Sequence, residues 1–436
     1  MTDLAGNPSK VSTPPTGSRR LLVQLDGTER VGLVAHRRHL DPPHPARRPR
    51  NALIAVTSEA GLRGRGGAGF PTGTKMRAVA DQRGRPVVVV NGTEGEPASR
   101  KDALLLSRQP HLVLDGAVRA ALAVGADEVL VCIDRKETRS VTSVREAIDE
   151  RVRLEPGGPG ITVLATPPRY VAGEETALIH WINGGEARPT VTPPRPFEKG
   201  VRGRPTLVDN VETLAHLAQI AQYGSEWFRG VGTTSEPGTA LITLSVGGGG
   251  RRSVHEVPIG TPLAGLMERA SSPDGVRAAL VGGYFGSWLS PADLTHATLS
   301  DASLRPLGGG LGCGAVVVLP EHACGVVESA RVLRWMAGET AGQCGPCVHG
   351  LHAIASCFED VARGTARGDS AQRLHRWAGD VEGRGACRFP DGAVRFLRSA
   401  MRVFAEDLHA HSKGRPCRAA AAAPILPIPL HTGGWR

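Results

Sequence analysis

Short apolar runs alternate with helix-like stretches between residues 51 and 240, and this alternation constrains the fold more than any other feature of the chain. The runs RPVVVVN, DEVLVCID and GITVLATP are short and apolar, as buried strands are, whereas HLVLDGAVRAALAVGA and SVREAIDERVRL have helical spacing. A helix between two strands returns the chain across one face of a sheet, so that the strands run parallel. The predicted fold class is therefore α/β, with a parallel sheet covered by helices.

The pattern changes twice after this part of the chain. The segments ALITLSVGGGG, HEVPIGTPLAGLMERA and VRAALVGGYFGSWL predict short strands, one helix and glycine turns, which indicates a small α+β unit. Later segments such as EHACGVVESARVLRWMAGETAGQC repeat apolar residues every three or four positions, which indicates a bundle of amphipathic helices. The chain is predicted to begin with a disordered segment, 1–50, that ends in a solvated linker at 36–50, and to finish with an extended or disordered tail, 413–436. Between them, the predicted boundaries are 51–238 for the α/β domain, 239–305 for the small unit and 321–412 for the helical bundle.

The charge balance does not indicate nucleic-acid binding. Lysine and arginine number 52 against 42 acidic residues, a formal net charge of +10, but only 4% of the residues are aromatic and the basic residues are scattered. No run of about eighteen apolar residues occurs, and MTDLAGNPSKVSTPPTGSRR lacks the apolar stretch of a secretory signal. We therefore expect no nucleic acid, no direct membrane insertion and a cytoplasmic location. In that reducing compartment the eight cysteines are not a disulfide framework, which leaves metal or cluster ligation.

A glycine-rich loop at 61–75 is the first candidate site. Missing side chains let backbone N–H groups approach a phosphate or a flat ring, and Arg65 and Lys75 add positive charge, so an anionic cofactor fits such a loop. The segment is neither a Rossmann fingerprint nor a Walker loop, and a flexible glycine turn is the alternative. The glycines within ten positions are Gly64, Gly66, Gly67, Gly69 and Gly73.

Polar residues follow two further elements. Asn91 comes directly after the apolar run VVVV, so that it, Glu94 and Glu96 lie just past the carboxyl end of a strand, where open α/β sheets bind ligands. Glu174 and Glu175 precede an apolar helix, and two acidic residues in a first turn either complement the helix dipole or contact a ligand. The residues alone leave both interpretations open.

Four segments, in this order, resemble the flavin-carrying, NADH-oxidising subunit of respiratory complex I and its soluble hydrogenase and formate dehydrogenase relatives. They are RGRGGAGFPTG, NGTEGEPASRKD at 91–102, YVAGEETALIHWINGGEARP at 170–189 and PTLVDNVETLAHL at 205–217. The resemblance implies a Rossmann-like domain for FMN and the nicotinamide nucleotide over 51–238, a soluble-ligand-binding β-grasp domain and a helical iron–sulfur domain. It also implies that electrons pass from NADH or NADPH through FMN to a cluster or a partner. The flavin carries this chemistry, so no catalytic side chain is expected.

The same resemblance assigns roles to single residues. It implies flavin roles for Tyr170, Gly173, Glu174, Asp209 and Asn210, and nicotinamide-nucleotide roles for Glu96 and Glu175. The whole implied cofactor-binding set is Gly64, Arg65, Gly66, Gly67, Ala68, Phe70, Lys75, Asn91, Glu94, Gly95, Glu96, Tyr170, Gly173, Glu174, Glu175, Asp209 and Asn210.

This chain departs from the family pattern around the adenine. The family's L-K-W-S-F reads TKMRA here and ends at Ala78, and its P-P-F-P reads PPRP with Arg195, which leaves Phe70 as the aromatic face. An aromatic stack is worth roughly 0.5–1.5 kcal/mol beyond area burial, so losing two weakens NADH binding by about tenfold or more. Arg195 could instead stack on adenine or meet an extra phosphate, which keeps NADPH as a hypothesis. Thr93 stands where the family has Asp, and Asp209 where it has Asn.

The cysteine pattern departs as well. The family's E-S-C-G-x-C-x-P-C, with a distant fourth cysteine, binds a [4Fe–4S] cluster, and here Cys344, Cys347 and Cys387 match it while Ala341 replaces the first cysteine. A cubane ordinarily takes one thiolate per iron. The three possibilities are a cluster with a different fourth ligand, a three-iron cluster, or no cluster. Other cysteines that could supply the fourth thiolate are Cys313, Cys357 and Cys417.

One flavin and at most one cluster make an incomplete electron path, so a partner is expected. A ferredoxin-like or thioredoxin-like iron–sulfur subunit is the natural candidate, and the basic pI suits an acidic electron carrier. Association with a membrane through such partners is compatible with this chain. The alternative function is a non-catalytic scaffolding paralogue that keeps the fold and FMN. An intact cavity lined by Ala341, Ala78 and Arg195 would favour catalysis, and side chains filling it would favour the scaffold.

Overall fold

Four parallel strands form the centre of the N-terminal domain in the computed structural model, which describes residues 17, 19–25, 27, 29–42, 50–247, 252–269, 275–366, 368–429 and 433–436. The strand order is β3-β2-β1-β4, with Val89 opposite Leu130 on one side and Val208 on the other. The elements of this domain are α1 (Leu33–His36), α2 (Arg50–Ala60), α3 (Thr72–Ala80), β1 (Val87–Gly92), α4 (Lys101–Arg108), α5 (Pro110–Val124), β2 (Glu128–Asp134), α6 (Thr138–Leu154), β3 (Gly160–Thr166), α7 (Glu175–Ile182), β4 (Thr206–Asn210), α8 (Val211–Tyr223) and α9 (Ser225–Arg229).

Burial explains why these segments form this sheet. The four valines at 87–90 are fully buried in β1, which lies inside the sheet and is covered on both faces. Helices α5 and α8 pack so closely that a Cβ at Gly116 would lie 1.8 Å from the Leu214 carbonyl oxygen. The predicted α/β class with a parallel, helix-covered sheet is confirmed.

A mixed five-stranded sheet follows, with the order β6-β5-β9-β7-β8. Strand β5 pairs parallel with β9, and the other neighbours are antiparallel. The elements are β5 (Thr239–Val246), β6 (Arg252–Pro258), α10 (Leu263–Arg269), β7 (Val276–Val281), β8 (Ser287–Leu289), α11 (Pro291–His296), α12 (Asp301–Leu304) and β9 (Ala315–Pro320). The predicted range 239–305 omits β9 and is too short, because the fully apolar β9 supplies the central strand of this sheet.

The C-terminal part is a bundle of helices that shares one apolar core with the small sheet. Phe396 of the bundle packs beside the buried Trp288 of β8. The elements are α13 (Gly325–Glu339), a π-helical turn (Pro346–Leu351), α14 (His352–Ala362), α15 (Ser370–Val381), α16 (Phe389–Val403) and α17 (Ala405–Ser412). No helix among the described residues is both long and apolar enough to span a bilayer.

The start of the chain is more ordered than predicted where the structure describes it. Glu256 accepts hydrogen bonds from the backbone N–H groups of residues 20–22, and His36 is buried. Arg37 forms ion pairs of 2.6 Å with both Asp115 and Glu155. The predicted solvated linker over 36–50 is therefore wrong at His36 and Arg37, which pair with distant acidic residues, whereas Arg38 and His39 are exposed. Residues 1–16 and 43–49 lie outside the described residues.

The described part of the predicted tail is ordered, and it includes a short 3₁₀ helix at Arg418–Ala421. The Leu426 N–H donates to Glu328, and the Tyr284 hydroxyl donates to the Pro427 carbonyl at 2.6 Å. Trp435 lies between the guanidinium groups of Arg169 and Arg188, at 4.2 and 4.6 Å from its ring centre. Residues 430–432 lie outside the described part.

Candidate active site

The glycine-rich loop presents its backbone to solvent at the edge of the parallel sheet. Its base is closed by a bridge between Arg63 and Pro71, with the Gly64 N–H donating to the Phe70 carbonyl at 2.9 Å. The tip residues Gly66, Gly67 and Ala68 are exposed. Gly67 has φ +113°, which side-chain-bearing residues rarely adopt. A ligand can therefore meet peptide groups directly at this tip.

Arg65, in contrast, points into the protein. Its N–H donates to Thr213, its guanidinium donates to the Thr239 carbonyl at 3.1 Å, and it lies 3.9 Å from Glu212. Burial lowers the pKa of this guanidinium. The predicted contribution of Arg65 to the charge of the loop is wrong, because its buried guanidinium instead hydrogen-bonds to β5 and so links the N-terminal domain to that strand.

The ends of β1 and β4 meet beneath the loop. Asn91 and Asn210 are neighbours in register, and the Asn91 amide donates to the Gly173 carbonyl at 2.8 Å. Asn210 begins α8 by accepting from the Glu212 N–H, and a Cβ at Gly66 would lie 3.3 Å from its Cβ. The loop and both strand ends therefore converge, as the strand-end argument predicts.

Asp209 is a buried carboxyl at this convergence. Among the described residues its Oδ2 has no hydrogen-bond partner, and only 5% of the residue is exposed. Burial raises its pKa to about 6, while the nearby charges of Lys75 and Glu175 act in opposite directions. Those two residues pair with each other at 3.1 Å. The site therefore offers an unpaired acceptor beside an ion pair, which suits a ligand that donates a hydrogen bond.

Two glutamates that follow β1 have different surroundings. The Glu94 carboxylate accepts hydrogen bonds from the N–H groups of Asp102 and Ala103 in the first turn of α4. Glu96 is buried and accepts from the Tyr284 N–H at 2.8 Å, with the Tyr170 hydroxyl at 3.4 Å. Burial raises the pKa of Glu96 to about 7. Glu96 thus faces the junction between the α/β domain and the small sheet, whereas Glu94 stabilises a helix.

The segment before α7 joins the loop region to the bundle. Gly95 packs against the backbone of Tyr170, whose N–H donates to Glu339 at 2.9 Å. Glu174 caps α7 by accepting from the N–H groups of residues 176 and 177. The Tyr170 ring packs edge-on against three aromatic rings of the small sheet and the bundle, Phe285, Trp335 and Phe389. Of the two interpretations left open by the sequence, the helix-capping one describes Glu174, and Glu175 instead pairs with Lys75.

The three predicted cysteine ligands come together at the bundle end of this segment. Cys344 precedes the π-helical turn, Cys347 lies within it and Cys387 precedes α16. Each of the Cys347 and Cys387 thiols interacts electrostatically with Cys344, and Cys387 also with Glu174. Burial raises the pKa of Cys347 to about 12. The first turn of α7 therefore lies between the strand-end site and the cysteines.

Ala341 lies in the same loop, and its carbonyl accepts from Arg188 at 2.7 Å. The other cysteines suggested for the missing thiolate have different neighbours in the structure. Cys313 lies beside the Gly282 carbonyl, Cys357 beside the Ser370 carbonyl, and Cys417 beside Cys324 and His411.

Comparisons with known proteins agree with this arrangement. The Nuo51 FMN-binding domain matches residues 57–219, and the NADH-ubiquinone oxidoreductase-F iron–sulfur binding region matches 328–411. The second F subunit of NADH-quinone oxidoreductase in Rhizobium meliloti (strain 1021) is 32% identical over 381 residues, 84% of this chain and 90% of the relative. This chain belongs to the NADH-quinone oxidoreductase F-subunit family. The F subunit of the same enzyme in Streptomyces coelicolor is also 32% identical, over 84% of each chain.

Solved structures show the same likeness. A chain of an NAD⁺-reducing [NiFe]-hydrogenase in the H₂-reduced state superposes with a TM-score of 0.80 at 30% identity. The match covers 90% of this chain and 66% of that chain, so this family member spans about two thirds of the hydrogenase chain. The predicted family, an oxidoreductase family with an FMN-binding and an iron–sulfur region, is confirmed.

Several residues of this family member escaped prediction from the sequence. Lys101 is buried and pairs with Asp102 at 2.8 Å and Glu212 at 3.1 Å, directly beneath Asn210. A second glycine-rich segment, 308–314, approaches Gly67 from the small sheet. This segment, GGGLGCG, has five glycines in seven residues, and that density could have predicted it from the sequence. The burial of Lys101 could not be predicted, because it depends on contacts that sequence spacing does not show.

Proposed function

We propose that this chain oxidises a reduced nicotinamide nucleotide with FMN held at the strand ends, and passes the electrons through an iron–sulfur cluster to a partner subunit. When bound, FMN supplies the exchange between two-electron and one-electron transfer. The observation that carries the proposal is a buried Asp209 carboxyl oxygen that has no hydrogen-bond partner among the described residues, next to Asn210, against which the open glycine loop packs. The chain's own task is to hold, orient and shield the cofactor.

The strand-end residues fit FMN. The exposed peptide groups of Gly66, Gly67 and Ala68 would meet the cofactor, as glycine-rich loops meet anionic groups. Asp209 would accept a hydrogen bond from it, and Lys75 would offset negative charge. The remaining predicted flavin contacts are Gly64, Asn91, Glu94, Gly95, Tyr170, Gly173, Glu174 and Asn210, although Glu94 and Glu174 act through the helices that they cap.

The nucleotide would bind on the open side of the loop. Phe70 is 53% exposed, and Arg195 is exposed as well, so both are accessible to an adenine ring or a phosphate. Glu175 and the buried Glu96 are the proposed contacts for the rest of the nucleotide. Arg195 keeps NADPH as a candidate donor alongside NADH.

The cysteine set fits a cluster in part. Cys344, Cys347 and Cys387 lie within one another's electrostatic influence, and three thiolates can hold three irons of a cubane. We propose that these three bind the cluster and that the iron next to Ala341 takes a ligand other than cysteine. Replacing Ala341 by Cys tests this directly. If iron per chain and cluster absorbance do not change, the missing thiolate does not limit the site.

A need for partner proteins is inferred from the family, because the relatives are named as subunits of larger enzymes. An iron–sulfur subunit of ferredoxin-like or thioredoxin-like type is the proposed acceptor. The net charge of +10 favours an acidic surface on that partner. Any membrane association would then come through the partners.

The deciding experiment is an anaerobic titration of the FMN-reconstituted chain with NADH and separately with NADPH, followed by flavin absorbance. Bleaching by one equivalent of either nucleotide would support the proposal and identify the donor. Flavin that stays bound and oxidised with both would overturn it and favour the scaffold. The variant Phe70→Leu is the matched control for adenine stacking, because it should weaken binding of the nucleotide without releasing FMN.

A further inference from the structure

Three side chains that the flavin and cluster sites do not use meet between the bundle and the tail. The ligand atoms of Cys324, His411 and Cys417 all lie within 4.8 Å of one another. Cys324 directly precedes α13, His411 lies in the last turn of α17, and Cys417 lies in the tail. Cys324 and His411 are almost fully buried, and Cys417 is half-buried.

The histidine is oriented for ligation. Its Nδ1 lies 3.0 Å from the Ala362 carbonyl oxygen, which requires the proton on Nδ1 and leaves a lone pair on Nε2. That nitrogen lies 3.7 Å from the Cys324 sulfur. Metal-binding histidines commonly donate their other ring N–H to a carbonyl in this way. The His411 ring is therefore held in the orientation of a metal ligand even without a bound ion.

The spacing matches tetrahedral zinc. Zinc binds thiolate at about 2.3 Å and imidazole at about 2.0–2.1 Å, so two such ligands at a tetrahedral angle lie about 3.6 Å apart. The 3.7 Å between the Cys324 sulfur and the His411 nitrogen agrees with this value. Thiolate and imidazole are both ligands that suit zinc.

We propose that Cys324, His411 and Cys417 bind a zinc ion, with water as the fourth ligand. Cys417 lines a cavity of about 780 Å³ between α13, α14 and the tail, which gives water and the ion a route to the site. Without the ion, the His411 Nε2 accepts a hydrogen bond from the Cys417 N–H at 3.1 Å. The ion would bind the same lone pair and replace that hydrogen bond. Two thiol protons leave as the ion binds.

A cation lies near the site. The Arg277 guanidinium interacts electrostatically with both thiols and also pairs with Asp407. Because two thiols must lose their protons to bind the ion, binding should weaken as the pH falls. Cys324 lies 87 positions before His411, so the ion would fasten the end of α17 and the tail that follows it to the start of α13.

The test uses the full chain, purified without chelator and then titrated with Co²⁺. We expect one equivalent of Co²⁺ to give the thiolate charge-transfer and tetrahedral ligand-field absorbance, and zinc to displace it. Cys417→Ser should abolish these bands, and Cys357→Ser, a buried cysteine of α14, should keep them. Cys344→Ser should keep them too, which distinguishes this site from the cluster cysteines and makes the outcome independent of the proposed electron transfer.

Three results would overturn the proposal: neither bound zinc by elemental analysis nor cobalt absorbance in the unaltered chain, bands that survive in Cys417→Ser, or bands that disappear in Cys344→Ser. A disulfide between Cys324 and Cys417, detected by mass spectrometry of the non-reduced, alkylated protein, would also overturn it. Because the unaltered chain is measured first, a variant that fails to fold cannot hide the answer.

Discussion

Replacing Asp209 by Asn should stabilise the FMN-free protein, and more so at higher pH. Asp209 is buried, and one carboxylate oxygen has no partner among the described residues. Burial raises its pKa from the ordinary 3.8 to about 6 in the folded chain. A carboxyl whose pKa is raised by folding favours the fold while it is protonated and opposes it once ionised. The asparagine amide has nearly the same shape as the carboxyl group and no charge, so it removes the free-energy cost of burying an ionised group.

The size of the effect follows from the two pKa values. The stability that Asp209 contributes is fully present below about pH 4 and is lost as the pH rises through 6, so the variant should match the parent at low pH. Above pH 6 the gain should reach about 3 kcal/mol, and about half of that at pH 5. FMN that donates a hydrogen bond to Asp209 would lower this cost, so the gain should shrink in the loaded protein.

The assay is urea unfolding at pH 5 and pH 8, with and without FMN, followed by tryptophan fluorescence and circular dichroism. Asp127→Asn is the matched control, because Asp127 is exposed and its hydrogen bond with Arg204 lowers its pKa. It should give no gain at pH 8. An equal gain for Asp209→Asn at both pH values, or a loss at pH 8, would refute the reasoning about burial.

Three further substitutions test other parts of the structure. Asp115→Asn removes a buried anion that faces the guanidinium groups of Arg37 and Arg151, so the free energy of unfolding should fall by about 3–5 kcal/mol in urea melts, and a loss below about 1 kcal/mol would contradict this. Gly116→Ala forces a Cβ against the Leu214 carbonyl and should cost at least about 1–3 kcal/mol, whereas Gly379→Ala, with open space around it, should not destabilise. Trp435→Ala removes two cation–π contacts and should cost about 1–2 kcal/mol, and an unchanged melting temperature would show that they contribute nothing.

The sequence predicted the layout of the first domain because local patterns determine it. The valines at 87–90 and the polar Asn91 after them mark a buried strand and its carboxyl end, and both were recognised. The boundary of the small sheet was missed because β9 follows a run of glycines and pairs with strands far away in sequence. Pairing of that kind leaves no periodic signal near the strand itself.

The site residues also divide into those that local sequence patterns predict and those that depend on tertiary packing. The exposed loop tip and the strand-end asparagines were predictable from glycine density and sheet geometry. The inward direction of Arg65 was not, because it depends on Glu212 and Thr239, which approach through tertiary packing. The contact between Cys324 and His411 spans 87 positions, so sequence spacing alone does not relate the two.

The position of β9 has a consequence for how the chain can vary in evolution. Strands β5–β6 and β7–β8 form two hairpins that meet only through β9, and only four residues separate β9 from α13. The small sheet therefore cannot be lost, exchanged or transplanted as a separate module, because its central strand belongs to the segment that begins the helical bundle. Removing it at residue 305 would expose two strand edges that favour aggregation. Recombination that keeps the fold should therefore carry the sheet and the bundle together as one inherited block.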